Sequence, residues 1–296
     1  MQNFSLHTHT IEFDGRNSVA EMIEQAKRIG FLSIGISNHF IVHPKIKQTS
    51  MYAAAFSPKK PSAKRYHQMY SENFDEAIEK MLPIFEQIDS YKSDFPIFKG
   101  LEVDFFQYSG WDKGFEKALK ILKPDYVIGS CHFSINHDKP INMHDILRFS
   151  AEEQEQIVHQ YWQNEQNAIK SGYFDFMAHI DLYKRQGIGL DKKFLPLEEK
   201  TVALLSDYNL PAEINTASLN KTSYKEDYFL QLLYLFSQFN IKTFFSDDAH
   251  HISQLSNGYE FAEKYAQQAG ISNFYQPISR NNRFQLVGQN LQKTKE

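Results

Sequence analysis

A chain of 296 residues with net charge -4 and a pI near 6.3 can bury one full-sized core and has no general electrostatic attraction for nucleic acid or an anionic membrane. Its single cysteine, Cys131, excludes an internal disulfide and fits a reducing compartment. No apolar run is long enough to span a membrane, and the first residues lack the basic flank and apolar stretch of an export signal, so a cytoplasmic single-domain enzyme is expected.

The chain opens on FSLHTHT, residues 4–10, which reads as a strand. Alternation puts His7 and His9 on one face, where both imidazoles can reach one ion. Residues 18–29 carry Val19, Met22, Ile23, Ala26 and Ile29 at helical spacing, and Gly30 ends that helix. The apolar run at residues 32–37 predicts a strand covered on both faces that delivers Asn38 and His39. Residues 41–71 show no clear period and contain three prolines together with Lys45, Lys47, Lys59, Lys60, Lys64 and Arg65. They read as an insertion, either a lid or a solvated loop.

From there helices and strands alternate. The predicted strands are residues 96–106 with Glu102 and Asp104, 126–133 with His132, 174–180 with His179, 211–217 with Glu213 and Asn215, and 242–250 with Asp247, Asp248 and His250. Seven strand candidates alternating with helices predict βαβ units and a parallel sheet. Polar residues at nearly every strand end favour closure into a barrel, where those ends converge on one face. A helix after Gly258 closes the fold, and residues 289–296 read as a frayed tail. The 25 Phe and 16 Tyr are better explained as core than as base-stacking platforms, because no basic stripe accompanies them.

A single histidine at a strand end is usually a hydrogen-bonded structural residue. Four strands ending in histidine, with Glu102 between them and Asp248 and His250 sharing a face on the last, point jointly to a metal centre. Asp247 faces the other way, and His67, His137, His144 and His159 read as surface residues. Arg16, Lys184 and Arg185 lie just beyond strand ends as candidate phosphate clamps, since a guanidinium can pair two oxygens at once. His43 is a candidate lid contact to substrate.

His7-Thr8-His9, Phe13-Asp14-Gly15, Ser37-Asn38-His39, Gly100-Leu101-Glu102, Ser130-Cys131-His132, His179 and residues 246–250 resemble, in order, the motifs of the PHP (polymerase and histidinol phosphatase) superfamily. The resemblance runs from Ser5 to about Gly258 and implies a distorted (β/α)7 barrel with three divalent transition-metal ions, Zn, Mn or Fe. It implies a first ion on His7, His9, Glu102 and Asp248, a second on Glu102, His132 and His179, and a third on Asp14, His39 and His250.

Carboxylate-bridged cations acidify a shared water, so the expected reaction is phosphomonoester hydrolysis by a bridging hydroxide, with Glu102 as the bridge and Asp248 or His250 protonating the leaving alkoxide. The segment 213–219 is similar to a motif of the histidinol phosphatase branch, and an insertion after the second strand recurs there. L-Histidinol phosphate is therefore the expected substrate, with Asp104, Asp181 and Glu213 as candidate acceptors for its ammonium or imidazole. Two other readings are a PHP-type phosphodiesterase or nuclease, disfavoured by the acidic balance, and a non-catalytic metal-binding module, disfavoured by the intact ligand set.

Overall fold

The structure, a computed structural model, describes residues 2–56, 66–136, 139–188, 193–220, 223–280 and 283–290. In chain order its first elements are β1 (Phe4–Ser5), α1 (Val19–Arg28), β2 (Ser33–Ile36), β3 (His39–Val42), α2 (Ser50–Ala55), β4 (Tyr70–Ser71) and α3 (Phe74–Ser90). There follow β5 (Ile97–Asp104), α4 (Trp111–Leu122), β6 (Tyr126–Ser130), β7 (Phe133–Asn136), β8 (Lys139–Asn142), α5 (Ala151–Ser171) and β9 (Phe176–Met177). The last are α6 (Leu195–Asp207), β10 (Ala212–Asn215), α7 (Glu226–Gln238), β11 (Thr243–Ser246), α8 (Tyr259–Gln268), β12 (Asn273–Arg280) and β13 (Arg283–Asn290).

Seven strands pair in parallel in the order β1-β2-β5-β6-β9-β10-β11. The ring closes through a parallel bridge between Thr8 and Ala249, in which His9 N–H donates to Ala249 O at 2.9 Å and Ala249 N–H to His7 O at 3.1 Å. At the other end the Gln2 side chain replaces a strand partner: it donates to Phe245 O at 2.6 Å and accepts from Phe245 N at 2.8 Å. This is the distorted (β/α)7 barrel that the family resemblance implies, built on the parallel sheet that the alternating pattern predicts. Helix starts follow from local chemistry. Ser18 with Glu21 and Ser150 with Glu153 form reciprocal capping boxes at α1 and α5, and α1 turns Val19, Met22, Ile23 and Ala26 onto the barrel.

Apolar side chains fill the barrel below the site: Phe4, Leu6, Phe98, Tyr126, Ile128, Phe176, Ala178 and Phe244 are buried there together. The Tyr126 ring occupies space left by two glycines, and its hydroxyl donates to the Leu6 carbonyl. The antiparallel hairpin β12–β13, absent from the expected elements, brings Phe284 onto Tyr126 and Phe98, with centroids 4.9 and 5.5 Å apart, and covers the floor.

The segment read as an aperiodic insertion starts as part of the sheet. β3 continues the line of β2 after a break at Ser37 and Asn38, and it pairs with the upper half of β5 so that His39 stands opposite Glu102. β4 pairs with β3 in turn. Three consecutive apolar residues, Phe40 to Val42, are too few to show a period in sequence, yet all are buried. The candidate lid lysines Lys59, Lys60 and Lys64, with Arg65, lie outside the described residues, as do residues 291–296 of the expected tail. Among the described residues no helix is long and apolar enough to cross a membrane.

A methyl group on Gly100 would stand 2.3 Å from Tyr126 Cζ, inside a barrel with no room to move the ring. Gly100→Ala is expected to destabilise the fold by about 1–3 kcal/mol, the usual cost of overpacking, read as a lowered midpoint in thermal or denaturant unfolding. An unchanged midpoint would show that the ring can be displaced at no cost.

Candidate metal centre

The upper ends of the strands bring all nine proposed ligands to one place. His7 Nε2 lies 3.3 Å from Glu102 Oε2 and 3.6 Å from Asp248 Oδ1, and His9 Nε2 lies 3.5 and 3.2 Å from the same two oxygens. Two ligand atoms each about 2.1 Å from a tetrahedral ion lie about 3.4 Å apart, so these four atoms have the spacing of one coordination shell. The other Glu102 oxygen, Oε1, is 3.0 Å from His179 Nε2 and 3.5 Å from His132 Nε2. A third group forms at Asp14, whose Oδ2 is 3.2 Å from His39 Nε2 and 2.9 Å from His250 Nε2. The groups overlap, since His39 Nδ1 also reaches Glu102 Oε2 at 2.7 Å and His9 Nδ1 reaches Asp14 Oδ1 at 3.5 Å.

The donor atoms fit cations better than they fit one another. His7 Nε2, both ring nitrogens of His9, His39 Nδ1, Asp14 Oδ1 and Glu102 Oε2 are buried without a properly directed hydrogen bond. A buried polar atom left so costs about 1–3 kcal/mol, which divalent ions would relieve. Burial alone would raise the Glu102 carboxyl, yet His39, His7 and His132 hold it well below the usual range. Asp14 and Asp248 are likewise held low against burial, Asp14 mainly by His250 and His39 and Asp248 mainly by His7. Burial, reinforced by His250 and His39, pushes the His9 imidazole down to about 4. The centre thus offers ionised carboxylates and at least one neutral imidazole, the states in which both types bind metal.

A second ring of groups aims the first. His7 Nδ1–H donates to Glu213 at 3.0 Å, and Glu213 also accepts from His179 N at 3.2 Å and Asn215 Nδ2 at 2.7 Å. Asp104 accepts from His132 N at 2.6 Å and from His132 Nδ1 at 2.9 Å. His250 Nδ1–H donates to Asp248 O at 2.9 Å, which turns Nε2 toward Asp14. Each such bond selects the tautomer whose free nitrogen faces the centre. Asn38 ties two strand tops together, accepting from Thr10 N at 2.8 Å and donating to Thr10 Oγ1 at 2.9 Å. Asp248 has φ +47°, left-handed backbone that costs a non-glycine residue about 1–3 kcal/mol and is held only where surroundings over-determine it.

Three expected substrate acceptors are therefore committed elsewhere. Glu213 and Asp104 orient imidazoles, and Asp181 accepts the Tyr224 hydroxyl at 2.7 Å. Lys184 does not reach the cavity as a phosphate clamp: it is fully buried and paired with Glu198, because its strand-end turn points it inward. His43 packs between Phe106 and Tyr108 at 5.0 and 5.3 Å, with its Nδ1 accepting from Lys45 N. Arg185 and Arg16 do line the cavity of about 470 Å³ above the centre. Arg185 is held by Ser218 at 2.7 Å, Asn215 at 3.0 Å and Asp248 at 3.4 Å. The reading by sequence missed His144, Met51, Met69 and Tyr70 as cavity residues. None carries a ligand spacing or lies at the end of one of the seven predicted strands.

A parallel barrel whose strand ends gather nine imidazoles and carboxylates defines a metal-binding α/β barrel protein. The PHP domain family matches residues 5–217, and the chain belongs to it. A "Probable histidinol-phosphatase" of Deinococcus radiodurans is 36% identical over 94 residues, 30% of this chain and 33% of that protein, so the chain matches about a third of that relative. The fold resembles a Lactococcus lactis histidinol phosphate phosphatase solved with Zn, L-histidinol and phosphate, at TM-score 0.64 and 15% identity over 95% of this chain and 98% of that one. It also resembles a Listeria monocytogenes protein named as a candidate histidinol phosphatase, at TM-score 0.63 and 21% identity over 87% and 99%.

Glu213→Gln is expected to keep the fold but to lower metal affinity about 10- to 100-fold, as loss of an orienting carboxylate does elsewhere. Competition with a calibrated chelator measures this. Wild-type affinity in the variant would remove Glu213 from any part in holding His7.

Proposed function

We propose that this protein is a metal-dependent phosphomonoesterase that hydrolyses L-histidinol phosphate. The observation that carries the phosphoesterase reading is Glu102, whose two oxygens face two separate sets of imidazoles beneath a cavity bearing a fixed arginine. The partial match to the Deinococcus radiodurans protein and the fold shared with the Lactococcus lactis enzyme support the narrower substrate.

His7, His9, Glu102 and Asp248 would hold one ion, Glu102, His132 and His179 a second, and Asp14, His39 and His250 a third. Bound there, divalent ions supply Lewis acidity and lower the pKa of water. The protein's own groups do the rest. Arg185 binds phosphate oxygens, and because Ser218 and Asn215 already hold its Nε and Nη2 the guanidinium loses little freedom on binding. Arg16 is exposed on the side of the cavity where its own N–H bonds His250 O at 2.8 Å, and it adds a second cation. Of the two candidate acids, His250 suits proton delivery to the leaving oxygen, provided that its Nε2 is protonated and not held by the third ion, because Nδ1–H is committed to Asp248 O. Its side chain is 32% exposed, whereas both Asp248 oxygens are engaged, Oδ1 by His7 and His9 and Oδ2 by Arg185.

Metal-reconstituted protein is expected to hydrolyse histidinol phosphate at a kcat/KM about a hundredfold above p-nitrophenyl phosphate, equivalent to roughly 2.7 kcal/mol, and to leave short oligonucleotides intact. Equal rates on all monoesters would reduce the reading to a general phosphatase, and faster oligonucleotide cleavage would make it a nuclease. Fully loaded protein should contain about three ions per chain, and Glu102→Gln should remove about two of them together with turnover, since one carboxylate serves both. Near-normal content and turnover in that variant would rule out the shared carboxylate.

A further inference from the structure

The cavity has two unlike sets of lining residues. Arg16, Arg185 and His250 line it beside the metal centre, and Met51, Met69 and Tyr70 of the 41–71 segment line it together with Phe133, with Tyr66, Asn142 and His144 also in the lining. Tyr70 packs edge-on against Phe133 at 6.3 Å and against Tyr52 at 6.2 Å, so the wall is braced from behind. Polarizable thioethers and aromatic faces are suited to a flat ring. Among the described residues the Tyr70 hydroxyl takes part in no hydrogen bond, although the residue is only 1% exposed and lines the cavity. Its hydroxyl is therefore open to the cavity and free to bond a ligand.

The carboxylates at the cavity are Asp14, Asp247 and Asp248 among the described residues. Asp14 and Asp248 face imidazoles, and Asp247 accepts from Ser5 at 2.7 Å, Ser256 N at 2.8 Å and the Tyr259 hydroxyl at 3.2 Å. None is left to pair with an ammonium on the substrate.

We infer that the wall of Met51, Met69, Tyr70 and Phe133 seats the alcohol half of the phosphomonoester, and that the protein selects a nitrogen-containing ring through the Tyr70 hydroxyl rather than an ammonium through an ion pair. The inference rests on the phosphomonoesterase reading and extends it to the leaving group. The ring enters face-on to the thioethers while its phosphate turns toward Arg185. The hydroxyl then bonds a ring nitrogen, which gives the phenol its missing partner.

The test compares kcat/KM of the metal-loaded protein on four compounds: histidinol phosphate, its deaminated analogue 3-(imidazol-4-yl)propyl phosphate, phenylalaninol phosphate, and the ringless 2-aminopropyl phosphate. The deaminated analogue should stay within about fivefold of histidinol phosphate, while the ringless compound falls about a hundredfold or more. Tyr70→Phe should narrow the imidazole-over-phenyl preference in kcat/KM about tenfold. A larger loss on removing the ammonium than on removing the ring overturns the inference and leaves the phosphatase reading intact. An unchanged ring preference in Tyr70→Phe overturns it equally. If none of the compounds nor p-nitrophenyl phosphate is hydrolysed, the phosphomonoesterase reading itself fails, and the inference with it.

Discussion

Glu102 is an ionised carboxylate with no access to solvent, surrounded by the imidazoles of His7, His9, His39, His132 and His179. Removing such a charge from water costs several kcal/mol unless opposite charge stands beside it. Protonated imidazoles supply that charge only in part: against burial, the carboxylates beside His7 and His39 raise those two, whereas His9, which stacks on His250 at 4.1 Å and lies 4.4 Å from His39, is depressed by burial and by these neighbours. Neutral imidazoles around shared divalent cations satisfy the same carboxylates without that repulsion. The polar interior of this barrel top is therefore coherent as a metal centre and costly as a network of protein groups alone.

The ligand geometry depends on ring closure. His7 and His9 come from the first strand and Asp248 and His250 from the last, and they meet because Thr8 bridges Ala249 between them. Both of the last two proposed ligands lie beyond the residues matched by the PHP domain family, 5–217. The left-handed backbone at Asp248 sits at this seam, with its carboxylate held by Arg185 and Asn215 from the neighbouring strand ends. Below, Tyr126 and the hairpin ring of Phe284 fill the barrel floor, so the strand ends are held by a packed interior.

The outer carboxylates explain why acidic residues near strand ends are ambiguous in sequence. Asp104, Asp181 and Glu213 sit at positions from which a carboxylate could serve substrate, ion or scaffold, and alternation along a strand does not separate these roles. Asp104 shares a face with Glu102, yet it accepts from His132 because β6 lies beside it in the sheet. Lys184 and Arg185 are adjacent in sequence with opposite fates, one buried against Glu198 and the other at the cavity, since successive residues of the 3-10 turn at Leu182–Gln186 diverge by about 120°.

Sequence alone determined the elements whose signal is local. Periodicity placed the seven strands and their helices, and residue type at strand ends gathered His7, His9, His39, Glu102, His132, His179, Asp248 and His250, because metal chemistry needs those donors and a parallel barrel sends its strand ends to one face. Only the tertiary structure decided the rest. The pairing of β3 with β5, the floor hairpin, the burial of Lys184 and His43, and the apolar wall carrying Tyr70 all arise from contacts between segments distant in the chain. Side-chain alternation is a property of neighbouring residues, whereas a partner across the barrel is set by how the sheet closes and packs, which no local pattern encodes.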